Sequence, residues 1–169
     1  FLYRPEVESL FAPLAAQVVR DGWDTGLKLG HSVRSVRDAL AAVRVDLHFA
    51  TALITARPIW GSPALAENFL HRFQRLITHG RREAFLAECI AARMDERKEA
   101  GGPVLQLEPD LKRSFGGLRD VHLVRWISFA EHGPGDLDSL RLRGELSSDE
   151  ALQLTIAQDF LLNLRIELH

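Results

Sequence analysis

Apolar residues recur at three- and four-residue spacing through most of the chain, so the pattern predicts helices far more than strands. Pro5 opens the first helix, with Leu10, Phe11, Leu14, Val18 and Val19 on one face and Asp21-Gly22 at its end. Pro13 interrupts that face and is expected to kink the helix or delay its start. Ser32 or Ser35 caps a second helix, in which Val36, Leu40 and Val43 are spaced for burial, and a short helix is expected over 46–52. Ser62-Pro63 starts a longer one, whose stripe Leu65, Phe69, Phe73, Leu76 and Ile77 reads as core and which stops at Gly80. The next, from about Arg81 to Ala100, turns Phe85, Leu86, Cys89, Ile90 and Met94 inward; its far end, Asp95 to Glu99, is mixed in sign and reads as a solvated face. Past Gly101-Gly102-Pro103, helical spacing resumes at Leu118, Val121, Val124, Trp126 and Ile127 and ends at Gly133-Pro134-Gly135. Leu137 to Leu142 makes one or two turns. Ser147 and Glu150 then form a capping box for a last helix through Leu152, Ile156, Phe160, Leu161, Leu164 and Leu168, expected to pack back on the core.

Alternation with period two is rarer. It predicts strands over Phe1 to Arg4, Leu27 to Val33 and Leu53 to Trp60, and a short extended segment over Val104 to Leu107. The fold class is therefore α/β with helices dominating (a helix-dominated α+β arrangement): a small mixed sheet of three or four strands, followed by accessory helices. Gly133-Pro134-Gly135 is the best internal boundary, dividing 1–132 from 133–169. The apolar start without Met and the unterminated last helix suggest a piece cut from a larger protein.

Composition sets outer bounds. With 169 residues and 46% hydrophobic content the chain suffices for one good core or two small ones. A net charge of −2 argues against a general nucleic-acid binder. No apolar run reaches the roughly 18 residues that span a bilayer, so no membrane partner is expected. Cys89 stands alone and reads as a buried thiol in a reducing, cytoplasmic setting. His71 and His79 lack the spacing of a helical metal pair.

The richest chemistry lies in residues 107–122, LEPDLKRSFGGLRDVH, a loop feeding a helix start. Such an end offers backbone N–H groups and a positive dipole to an anion, and Gly116-Gly117 lets backbone approach a ligand closely. A plain turn with solvated charges reads the same spacing equally simply. Lys112 is the residue expected to reach a phosphate, with Asp110 orienting it or touching a metal, and Asp120 positioning Arg119. At a strand end, Gly30-His31-Ser32 is either a second place for side chains to meet a ligand or a stretch in which His31 merely bonds a neighbouring backbone group.

The run LEPDLKRSFGGLRDVH closely resembles the signature of the bacterial PII uridylyltransferases, whose relatives, the glutamine-synthetase adenylyltransferases, carry a similar Lys, Gly-Gly, Arg, acidic pattern. Leu27 to Arg34 is similar to the family's Gly-His-Ser-Val-Arg stretch, and Ala50 to Arg57 to its Ala-Thr-x-Leu segment. The three blocks fall in the family's order; the resemblance covers essentially the whole chain and is most specific over 27–61 and 104–127. It implies that 1–132 is the later part of a nucleotidyltransferase domain and 133–169 the start of a helical accessory region. It also implies magnesium (Mg2+), UTP and the PII signalling protein as partners, with transfer of UMP to a PII tyrosine in nitrogen regulation. The nucleotide-contacting residues it suggests are Gly30, His31, Ser32, Arg34, Asp110, Lys112, Gly116, Gly117 and Arg119. It assigns no catalytic residue or metal ligand within this chain, because the family's Asp-x-Asp pair would lie before Phe1. One departure weakens the match: the family's usual acid three residues before Pro58 is here Thr55, a poor ligand for a hard cation. Asp46, nearby in sequence, is the candidate to compensate. The alternatives are a related nucleotidyltransferase of a different sensory system and a degenerate domain that binds nucleotide or PII without catalysis.

Overall fold

The computed structural model describes residues 1–27, 30–99 and 110–168, which divide into two compact units, Phe1–Phe73 and Gln74–His169. The helix-dominated α+β class is borne out. No helix among the described residues is long and apolar enough to cross a membrane.

In the first unit, β1 (Leu2–Tyr3) and β2 (Arg34–Ser35) form a two-stranded parallel sheet in the register Leu2 to Arg34 and Tyr3 to Ser35. Parallel neighbours need a crossover, and α1 (Glu8–Asp24) lies in it. A 3₁₀ turn at Pro5–Val7 precedes α1, which runs through Pro13; proline has no N–H to give the Ser9 carbonyl, four residues back. The expected apolar face of α1 is only partly used. Ala15 and Val19 are buried, and Tyr3 stacks on Phe11 at 5.9 Å, whereas Leu10, Leu14 and Val18 are exposed. Ser35, of the two candidates, is the cap of α2 (Val36–Val43): its hydroxyl oxygen accepts the Asp38 N–H at 3.2 Å and donates to the Asp38 carboxylate at 2.7 Å. Asp46 caps α3 (Leu47–Leu53), accepting the Phe49 N–H at 2.9 Å. Then α4 (Pro63–Arg75) begins as expected, with Phe69 and Phe73 buried.

Two strand expectations fail. Residues 30–33 are irregular, with pairing confined to Arg34–Ser35, while Lys28 and Leu29 lie outside the described residues. Leu53 closes α3, and 54–60 is a turn and irregular chain in which Ile59 and Trp60 are exposed. Alternating polarity there tracks no sheet face, because among the described residues no neighbouring strand supplies hydrogen bonds. The sheet of the described residues thus has two strands, not three or four; Val104 to Leu107 lies outside them.

In the second unit a π-type turn, Leu76–Gly80, leads to α5 (Arg82–Glu99), which packs on α6 (Leu118–His132). Both α6 and α7 (Leu137–Leu142) pack on α8 (Ser148–Glu167). Ile77, Phe85, Cys89, Leu118, Val121, Phe129, Leu137 and Ala151 are buried here. The Ser147–Glu150 capping box forms as expected, with N–H to side-chain distances of 2.8 and 3.2 Å. The expected core stripe of α8 is met only in part: Leu161 and Leu164 are half-buried, Leu152, Ile156, Phe160 and Leu168 are exposed, and the covered side also carries Ala151, Leu154, Gln158 and Arg165. Polar residues serve on that side because Gln158 accepts a 2.9 Å hydrogen bond from Arg125 of α6.

Candidate functional site

Phe85, Cys89 and Arg93 follow one another at four-residue intervals on α5, so a buried stripe that begins apolar ends in a guanidinium. Arg93 is 3% exposed. Its Nε–H donates to Asp120 Oδ1 at 2.6 Å, and its two terminal nitrogens donate to the Arg113 carbonyl at 2.8 Å and the Ser114 carbonyl at 3.1 Å. Glu96 adds a contact at 3.4 Å. The planar fork of an arginine suits this arrangement, since it reaches three acceptors on one loop and helix start. The expectation that Ile90 and Met94 face inward is corrected: both are exposed, and the buried stripe passes through Arg93 because loop carbonyls, not methyl groups, wait at that depth. The solvated face read over 95–99 is split. Asp95 pairs with Lys98 in the open, whereas Glu96 joins Arg93 and Arg119, and Arg97 joins Asp120 at 3.0 Å and covers the Phe115 ring at 4.2 Å.

The loop from Asp110 to Gly117 closes on itself. Asp110 accepts the backbone N–H groups of Lys112 and Arg113 at 2.8 and 3.1 Å, an Asx turn that fixes the backbone carrying Lys112. Gly116 has φ +74°, open only to glycine without strain, and its N–H donates to Asp120 Oδ2 at 2.8 Å. Gly117 answers a different need. A Cβ there would lie 2.8 Å from the Leu111 carbonyl oxygen, 2.9 Å from that of Ser114 and 3.1 Å from that of Lys112. Close approach at this glycine is therefore by the loop's own carbonyls.

The same closure corrects the reading of the helix start as a row of free donors. The Leu118 N–H donates to the Leu111 carbonyl at 3.0 Å and the Arg119 N–H to that of Lys112 at 2.9 Å. With those backbone donors satisfied, side chains are left to meet an anion. Lys112 is half-buried, and among the described residues no carboxylate pairs with its ammonium. Arg119 is anchored by Glu96 at 3.3 Å and lies over the Trp126 ring at 5.6 Å, with 15% of its side chain exposed. Burial pushes the Asp120 carboxyl up, but Arg93, the Gly116 N–H and Arg97 together hold it below its ordinary value. Burial likewise pushes the Asp110 carboxyl up, and the Lys112 and Arg113 N–H groups outweigh it, so that this carboxyl too lies below its ordinary value. Asp120 therefore acts on the loop through Gly116 and Arg93, and Glu96, not Asp120, holds the Arg119 guanidinium.

Asp110, Lys112, Gly116, Gly117 and Arg119 thus share one loop and helix start, in the second unit. Gly30, His31, Ser32 and Arg34 belong to the first. There His31 is exposed, edge-on to Trp23 at 6.0 Å, and Ser32 is half-buried. A Cβ at Gly30 would meet nothing. Arg34 lies over the Phe49 ring at 5.0 Å with a buried Nε that lacks a partner. Thr55 is exposed in the turn after α3, and the Asp46 carboxylate is engaged as the α3 cap. His71 and His79 are exposed, and His79 Nδ1 lies 2.6 Å from the Thr78 hydroxyl.

Magnesium finds no donor set among the described residues, where no three His, Cys, Asp or Glu side chains come together. The carboxylates of the loop and its clamp, Asp110, Asp120 and Glu96, are taken by N–H groups and arginines. Sequence reasoning missed Arg93 and Glu96. The signal available was the four-residue interval from Phe85 through Cys89, which reaches Arg93 before Met94.

The GlnD PII-uridylyltransferase family model matches residues 84–169. The bifunctional uridylyltransferase/uridylyl-removing enzyme of Rhodospirillum rubrum is 35% identical over 161 residues, 93% of this chain and 17% of that protein. That of Nitrosococcus oceani is 33% identical over 168 residues, 99% of this chain and 19% of that protein. The enzyme of the same name from Thiobacillus denitrificans is 37% identical over 147 residues, 87% of this chain and 17% of that protein. The chain thus spans less than a fifth of the length of these curated relatives. No solved structure matches it. With half of its length under the family model, and with the sequence blocks already described, the chain belongs to the GlnD PII-uridylyltransferase family.

Proposed function

We propose that the parent protein of this chain transfers UMP from UTP to a tyrosine of the PII signalling protein, in cytoplasmic nitrogen regulation, and that the Asp110–Arg119 loop meets the nucleotide's phosphates. The observation that carries this reading is Lys112. Its backbone is fixed by Asp110 and by the Arg119 N–H, its loop is clamped by Arg93, and among the described residues its ammonium has no carboxylate partner. A pre-positioned ammonium without an ion-pair partner among the described residues suits triphosphate charge. Arg119, held by Glu96, is the second cation on the same helix start.

The reaction proposed is in-line displacement at the α-phosphorus. The tyrosine oxygen forms the new P–O bond, the bond to the bridging oxygen before the β-phosphorus breaks, pyrophosphate leaves and the phenolic proton is lost. Magnesium would supply charge neutralisation when bound, held by residues of the parent outside those described here. In this chain, Lys112 and Arg119 bind and orient the phosphates, and Gly30, His31, Ser32 and Arg34 form a second proposed contact segment. A binding module without transfer is the second reading, favoured by Thr55 in place of an acid.

Calorimetric titration of UTP with magnesium into the full-length parent and its Lys112→Ala variant tests the proposal. Saturable binding that weakens at least tenfold in the variant is expected. A parent that binds no UTP overturns it. Incubating UTP-competent parent with PII separates the two readings: a uridylylated tyrosine supports transfer, and unmodified PII supports the binding module.

A further inference from the structure

Although the chain carries a net charge of −2, one face of the second unit concentrates positive charge. Arg119, His122 and Arg125 recur every three residues along α6, Lys112 precedes them on the loop, and Arg165 of α8 acts on the same histidine. His122 is half-buried, and its ring lies 6.1 Å from that of Trp126. Glu96 pairs with Arg119, and Asp136 exerts its charge on Arg125, but among the described residues Lys112, Arg125 and Arg165 form no ion pair. The polar partner of Arg125 is the uncharged amide of Gln158. The Nε of Arg125 is buried without a hydrogen-bond partner, and that of Arg119 faces only the Glu96 carboxylate at 3.3 Å, outside hydrogen-bond geometry. A buried guanidinium donor left unsatisfied beside like charges is costly, and an anion would relieve the repulsion among these cations.

We propose that Lys112, Arg119, His122, Arg125 and Arg165 form one polyphosphate site, which takes the β- and γ-phosphates of a nucleoside triphosphate or free pyrophosphate. This rests on the nucleotide reading above and extends it along α6 to α8. Proton linkage follows. In the free protein burial, and then Arg119, Arg125, Lys112 and Arg165, hold the His122 imidazole below its ordinary value, so it is neutral at pH 7. A bound polyanion reverses the sign of the local field and raises that value, so binding draws a proton onto His122 and tightens as pH falls towards 6.

The test is calorimetry on the full-length parent with inorganic tripolyphosphate, UTP and UMP, each in two buffers of different ionisation enthalpy, so that proton uptake is read directly. Expected results are binding of tripolyphosphate and UTP, affinities at least tenfold weaker in Arg125→Gln and Arg165→Gln, and proton uptake diminished in His122→Asn. The ligand's own ionisation is common to parent and variant, so the difference isolates the imidazole. UMP binding, if measurable, is expected to change less than twofold in the three variants. UTP binding that is unchanged in all three overturns this site and leaves the nucleotide reading standing. Tripolyphosphate binding through these residues without UTP binding keeps the site and overturns the nucleotide reading. Binding of neither overturns both.

Discussion

Arg93 Nε donates to Asp120 Oδ1 at 2.6 Å, joining the middle of α5 to the first turn of α6 beneath the loop that carries Lys112. The pair is asymmetric: 3% of the Arg93 side chain is exposed against 22% of Asp120. Removing the arginine strips two loop carbonyls of their guanidinium donor and leaves the Asp120 carboxylate only Arg97 and the Gly116 N–H, whereas removing the carboxylate's charge leaves the arginine its two carbonyl acceptors and Glu96. Arg93→Met is therefore expected to cost about 3–5 kcal/mol of unfolding free energy and Asp120→Asn about 1–3. Denaturant unfolding of the three proteins checks the order; equal losses would show that the carbonyl contacts contribute nothing.

The two glycines separate by mechanism. Gly117→Ala places a methyl 2.8 Å from a backbone oxygen, so the loop must open, and a loss of about 1–3 kcal/mol with weaker UTP binding is expected. Gly116→Ala meets no atom within 4 Å and suffers only the left-handed backbone penalty, about 1–2 kcal/mol. Thermal unfolding beside UTP titration distinguishes them. Gly116→Ala should lose stability with little change in affinity, because the added methyl displaces no neighbouring atom.

Much of this arrangement could be read from spacing. The helix starts at Ser35, Pro63 and Ser147 and the stop at Gly133 carry local chemistry that caps or breaks a helix whatever surrounds it, and each appears where expected. Leu53 to Trp60 alternates in polarity but has no strand beside it among the described residues, so pattern alone could not decide its state. Met94 looks more buried than Arg93 on any hydrophobic scale. Only the carbonyls of Arg113 and Ser114, twenty residues away in sequence, reverse that order. Gly-Gly was legible as a backbone requirement, but which atoms converge on Gly117 depends on the closed loop, which no short motif states.

Cys89 offers a probe of the same helix. Burial, with the charge of Glu88 adding and that of Arg81 opposing, pushes its thiol up to about 12. The thiolate is the reactive form, so labelling by a disulfide reagent at pH 8 should proceed only as α5 opens. Wild type is expected to label slowly, and Arg93→Met at least tenfold faster if the clamp holds that helix closed. Mass spectrometry of the Cys89 peptide gives the rate; immediate labelling of the folded wild type would contradict the burial.

Acid should act on the clamp through Asp120. Its carboxyl, whose ordinary value is 3.8, is depressed in the fold: burial works against this, and Arg93, the Gly116 N–H and Arg97 prevail. A group depressed on folding gives stability that is fully present above its unfolded value and is lost as pH falls through its folded one. The difference in unfolding free energy between wild type and Asp120→Asn should therefore stay constant from pH 7 to about 5, then shrink as pH drops below the ordinary carboxylate range. Asp110 is depressed as well, so Asp110→Asn should converge on wild type in the same direction, by an amount limited by its exposure to solvent. Urea unfolding at pH 7, 5, 4 and 3 measures both differences, and a gap for Asp120→Asn that widens in acid would mean that the carboxylate is not held by Arg93 in solution.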